Sequence, residues 1–264
     1  MSQETNLNVA PYFDDFNASN DYYSVLFKPG YPVQARELNN LQSILQNQVE
    51  QFGQHFFKEG AKVIPGNTYY NKEYNGIQLE SSFLGIPISN YLGQLVGSKI
   101  TGLTSGVTAT VSKCVLGRDS ANGNPTLYVS YLGSDSTDNL QGIIANNELL
   151  TSSIDIISGG TTIAAGEPFG STMVNNANVT GSSFTIKSGV YFAKGRFVEV
   201  SDQNILLDPF GITPNYRIGL FINESIINAD MNPELNDNSR GFNNYSAPGA
   251  DRLRITTSLI KKDL

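Results

Sequence analysis

The chain reads as mainly β with one long α-helix near the N-terminus: an extended N-terminal arm, the helix, then small antiparallel β-domains. Three observations carry this expectation. Residues 32–58 hold the one sustained apolar period near 3.6. Beyond Gly60 the sequence breaks into short runs rich in Ile, Val, Leu and Thr, punctuated by Gly, Pro, Asn and Asp. Ahead of the helix, residues 1–30 show neither helical nor strand period.

The arm is not built like a disordered tail. Disordered segments are poor in aromatic residues, whereas this one carries Tyr12, Phe13, Phe16, Tyr22, Tyr23 and Phe27. Such side chains predict a segment that lies on a surface, either its own subunit's or a neighbour's. Pro29-Gly30-Tyr31-Pro32 follows as a rigid turn aiming the arm at the start of the helix.

For the helix, Pro32 suits the first turn and Gly60 a C′ position. Leu38, Leu41, Leu45, Val49, Phe52 and Phe56 recur at spacings of 3, 4, 4, 3 and 4, which places them on one face. Asn40, Gln42, Gln46 and Gln54 are polar without charge. At 1.5 Å per residue the helix spans roughly 40 Å. Gly53 costs about 1 kcal/mol against Ala, so a kink or a close neighbour is expected there. Two packings fit the pattern. The helix either covers its own sheet or bundles with symmetry mates, its Asn and Gln residues setting the register. Arg36 and Glu37 are candidates for docking or intersubunit ion pairs, with an ordinary solvated first turn as the alternative.

Strands follow. AKVIPGNTYYNKEY contains the turn dipeptide Pro65-Gly66. KITGLTSGVTATVSKCVL and TLYVSYLG read as strands joined by the hairpin loop GRDSANGNP. Residues 158–182 predict loops or edge strands. In FTIKSGVYFAKGRFVEV, Lys194-Gly195 supplies the positive φ of a tight hairpin, and Val190 with Phe192 alternates toward one face. YRIGLFINESII and RLRITTSLI are the last strands, and the chain is expected to continue past Leu264. The domain reading is 1–60 for attachment and oligomerisation, 61–94 plus 183–264 as a β-domain, and 95–182 as a small β-domain readable as an insertion.

Composition narrows the function classes. Hydrophobic residues reach 39%, enough for real cores, yet charged residues are only 16%, well under the about 25% of an ordinary domain. A neutral polar surface raises little repulsion between copies and suits an assembly. Net charge is -7, and phosphate binding needs clustered Lys and Arg, so nucleic acid is a poor partner. No apolar run nears the ~20 residues of a membrane span. The N-terminus lacks the pattern of a signal peptide.

Enzyme motifs are largely missing. The single histidine, His55, lies inside the helix, and the single cysteine, Cys114, sits in an apolar run as a small hydrophobe. No metal, cofactor or phosphate-loop pattern is present. Asp14 and Asp15 point apart if extended, which disfavours a paired-carboxylate hydrolase. Asp230 to Asp237 lacks the glycine and terminal glutamate of a calcium loop and reads as a turn satisfied by its own Asx side chains.

Two stretches, residues 6–60 and 224–255, carry a resemblance. PYFDDF is followed by Leu26-Phe27-Lys28-Pro29-Gly30 and Val33-Gln34-Ala35-Arg36-Glu37-Leu38, then by a glycine-rich strand pair at Gly189 to Val200. Ala247-Pro248-Gly249-Ala250-Asp251-Arg252-Leu253 comes last. Together these resemble a family of virion structural proteins of contractile-tailed phages, described as tail-fibre or baseplate-associated. The resemblance implies a multi-copy, trimeric component of the virion tail, assembled in the host cytoplasm and attached to baseplate or tail proteins through its N-terminal part. It supplies no catalytic residue. Arg252 then becomes a candidate contact to a neighbouring chain, with a plain hairpin turn as the alternative. A host-surface glycan-binding module in the central β region is the competing function.

Overall fold

The structure, a computed structural model, describes residues 5–117, 123–134 and 142–264. Among these residues one α-helix and seventeen strands follow one another, so the fold is mainly β with a long helix near the N-terminus. Helix α1 runs Ala35–Phe56, shorter at both ends than expected. Pro32 lies before the N-cap Gln34 because the chain is still extended there, with φ -92 and ψ 150 at Gln34. Gly60 is no C′ residue. The extended Phe57 caps the helix, its N–H donating to the Gly53 carbonyl, and Gly60 at φ +78 belongs to the following turn.

Next come β1 (Ala61–Ile64), β2 (Thr68–Gln78) and a small hairpin, β3 (Ser82–Phe83) with β4 (Ile86–Pro87). β5 (Lys99–Gly102), β6 (Val107–Val115) and β7 (Thr126–Ser134) follow. β6 and β7 pair antiparallel, as expected for a hairpin; residues 118–122 of the predicted loop lie outside the described residues. After β8 (Leu149–Ser152) come β9 (Ile156–Ser158), β10 (Thr161–Ile163), β11 (Pro168–Ser171) and β12 (Asn178–Ile186). The last strands are β13 (Gly189–Ala193), β14 (Arg196–Val200), β15 (Gln203–Asp208), β16 (Tyr216–Ile227) and β17 (Arg252–Asp263).

These elements form two compact units. The first is Met1–Thr68 with Ile186–Gln203 and Ile218–Ile260; the second is Tyr69–Thr185 with Asn204–Arg217 and Lys261–Leu264. The divisions differ from those expected at 60, 94 and 182. The arm and helix are not a domain of their own, because they share a unit with β1, β13 and β14. Residues 69–94 join the second unit, because β2 is hydrogen-bonded into its large sheet.

The first unit is layered. β1, β13 and β14 make a three-stranded sheet in which Lys194 and Gly195, at φ 51 and 71, form the predicted tight turn. One face of this sheet carries Phe192 and Phe197, whose ring centroids are 5.5 Å apart and which both contact Phe57. Helix α1 lies on this side. The other face carries Tyr191 and Val200, packed with Ile186, Leu220 of β16 and Leu259 of β17. That contact supports the β16–β17 ribbon, since an isolated pair of strands is marginal in water.

The second unit is an eight-stranded sheet in the order β11-β8-β5-β6-β7-β2-β12-β15. Its core is formed by side chains such as Ile77, Leu92, Ile100, Val111, Leu127 and Phe169. β11 is an edge strand, within the stretch expected to hold loops or edges. Cys114 is half-buried against this core, and burial pushes its thiol pKa up, away from reactivity.

Candidate functional site

Helix α1 is inverted. Apolar residues of an amphipathic helix ordinarily face the core, but here they face solvent. Leu45, Phe52 and Phe56 are 60%, 61% and 63% exposed, and Leu38, Leu41 and Val49 are exposed with them. The opposite side meets the unit, largely through polar groups. Asn39 Nδ2 donates to the Tyr12 carbonyl at 3.0 Å, and Asn40 Nδ2 donates to Asp15 at 3.0 Å. The Ser43 hydroxyl donates to the buried Asp14, and Gln46 Nε2 donates to the Gly195 carbonyl at 2.8 Å. Ile44 is the buried aliphatic residue of the helix, with Glu50 and Gly53 buried beside it. Of the two packings the pattern allowed, the helix does lie on its own sheet, but by its polar side and not by its apolar face.

Gly53 has the close neighbour expected of it. A Cβ there would stand 2.2 Å from the Phe192 ring. The glycine is what allows a helix with a polar underside to sit directly on an aromatic sheet face.

The stripe is regular as well as exposed. Its 3-4-4 spacing from Leu38 to Val49 starts again at Val49, an 11-residue period. Such a period departs little from the natural turn of an α-helix and keeps the stripe nearly straight. Over 22 residues it runs roughly 33 Å. The bordering Gln42 and Gln48 carry no charge. His55 stands edge-on to Phe56, with centroids 5.0 Å apart.

The other candidate residues divide into two groups. Arg36 pairs within the chain with Asp15 at 3.4 Å, and Glu37 accepts from the Gln34 backbone N–H at 3.0 Å, so both serve the helix's own start. Asp14 and Asp15 diverge, one buried against Ser43 and one exposed near Arg36. Tyr12 donates to the Asp251 carboxylate, a bond that raises the phenol's pKa. Arg252 donates to the carbonyls of Ala250 and Asp251, closing its own turn. Phe16 is half-buried. Phe13, Tyr22, Tyr23, Phe27, Pro29 and Tyr31 are exposed. The arm is thus tied down near residues 12–16 and left open from about 21 to 33.

In the Asp230 to Asp237 loop, Asn232 and Asp237 accept from the backbone N–H groups of Glu234 and Ser239. The Ser239 hydrogen bonds hold the Asp237 carboxyl below its ordinary value. Among the described residues no three His, Cys, Asp or Glu side chains gather as a metal site. No described helix is long and apolar enough to cross a membrane.

A feature the sequence did not reveal lies in the second unit. The Glu148 carboxylate is buried and accepts from the N–H groups of Thr104, Ser105 and Ala145 and from the Ser105 hydroxyl. Ala145 is three residues away, but Thr104 and Ser105 lie 44 and 43 residues away in sequence, so no local motif marks the full set.

The fold and this surface define a β-rich protein that presents one apolar helix face and an aromatic loop to its surroundings. Residues 10–85, from the arm through α1 to the β3–β4 hairpin, match a family described as a domain of unknown function, DUF4815. No curated protein and no solved structure matches the chain.

Proposed function

We propose that this chain is a non-enzymatic structural subunit of a phage tail, associated with the tail fibre or baseplate, whose copies assemble as a homotrimer through helix α1. The observation that carries the reading is the outward apolar stripe. Exposing six large apolar side chains in a row works against the hydrophobic effect unless another surface covers them. The sparse charge of the chain and the resemblance of residues 6–60 and 224–255 to tail structural proteins supply the setting. In this reading the arm and helix attach and oligomerise, and the β units form the body of the subunit.

Protein mass spectrometry of density-purified particles of the phage that encodes the chain tests this. The expected result is its peptides at several copies per particle, lost when tails are removed. Their absence from particles, with the protein recovered free in the lysate, overturns the proposal.

A further inference from the structure

The loop between the tied part of the arm and the helix carries an unclaimed surface of its own. Tyr22, Tyr23, Leu26, Phe27, Tyr31 and Val33 are all exposed, Leu26 at 81% and Tyr31 at 72%. The loop's backbone hydrogen bonds are short-range, such as Asp21 N–H to Ala18 O and Tyr31 N–H to Lys28 O. Its ends are fixed, one by Asp15 on Arg36 and Asn40, the other by the Gln34–Glu37 cap. A run of apolar side chains is therefore held beside the start of the helix with little protein behind it.

Area decides how this surface relates to the stripe. An aromatic side chain presents roughly 150–250 Å², so the exposures put on the order of 600 Å² on the stripe and about 800 Å² on the loop. A stable interface needs about 800 Å² from each partner. The stripe alone falls short, and stripe and loop together exceed it. Charge points to a second copy as the partner. Residues 21–33 hold one acid and one base, Asp21 and Lys28, and the helix borders its stripe with the neutral Gln42 and Gln48. Little charge repels like from like, and the aromatic rings supply the apolar contact area.

We propose that the aromatic loop 21–33 is the second half of the self-interface: the loop of one copy lies on the neighbouring copy, flanking its helix stripe. This rests on the reading that copies meet through α1, and the test separates the two. Sedimentation equilibrium would compare wild type, a loop variant (Tyr22→Ser with Phe27→Ser and Tyr31→Ser) and a stripe variant (Leu45→Glu with Phe52→Glu). Circular dichroism verifies that each is folded, and Tyr22→Phe with Tyr31→Phe should associate like wild type.

The loop variant should keep the wild-type spectrum and melting midpoint while its dissociation constant rises at least tenfold. An unchanged constant for the loop variant, beside a monomeric stripe variant, overturns the loop's role and leaves assembly through the helix standing. A stripe variant that associates as tightly as wild type overturns assembly through the helix. A wild-type chain monomeric at every concentration overturns both and assigns the surface to a different protein.

Discussion

At Gly53 the close approach of Phe192 outweighs helix propensity. Alanine in place of glycine favours a helix by about 1 kcal/mol, yet overpacking a filled site costs typically 1–3 kcal/mol. The Phe192 ring cannot easily withdraw, since Phe57 and Phe197 flank it. Gly53→Ala should therefore lower stability by about 1 kcal/mol in urea unfolding, whereas an exposed helix glycine would raise it. Glu148→Ala strands three backbone N–H groups and should cost about 3 kcal/mol by the same measurement. Asp202 gives a pH signature. Its carboxyl is held below its ordinary value by the Lys187 ammonium and the Ser188 N–H. A depressed carboxylate contributes stability that is present above about pH 4 and lost as pH falls through the folded-state value. Asp202→Asn should shallow the acid limb of a melting-temperature profile, and an unchanged profile would contradict the linkage. At this scale the sequence was partly legible. Gly53 stood out as a glycine inside a helical period, but Glu148 was one acid among many until the fold brought residues 104 and 105 to it.

The helix shows what periodicity can and cannot tell. The spacing of Leu38 to Phe56 placed six residues on one face, and they do share a face. Which way that face points was not in the pattern, because it depends on what the opposite side can bind. Here the opposite side finds Asp14, Asp15, the Tyr12 carbonyl and the Gly195 carbonyl, contacts separated from the helix by up to 149 residues of sequence. The ends were misplaced because Pro32 and Gly60 are each compatible with a helix terminus and with a turn. The inversion makes neighbouring residues behave differently. Ile44→Ala should cost the monomer about 2–4 kcal/mol, and Leu45→Ala within about 0.5 kcal/mol, both by urea unfolding at low concentration. Similar losses at the two positions would contradict the inverted packing.

Across the whole molecule, the mainly β class and most strands from β12 to β17 were legible from alternation and turn residues. The unit boundaries were not. They are set by which strands hydrogen-bond, as when β2 enters the large sheet, and such pairings are remote in sequence. The same holds for the arm: its aromatic residues announced a surface-bound segment, but only the fold divides it into a tied part and an open loop. These features support the proposed reading, in which further copies of the chain cover its exposed apolar surface. Native mass spectrometry of residues 1–264, with and without Leu45→Glu, tests that most directly. The account predicts a multiple of the chain mass, three copies for the homotrimer, collapsing to one chain in the variant. A single-chain mass for wild type and variant alike, at every concentration, would contradict it.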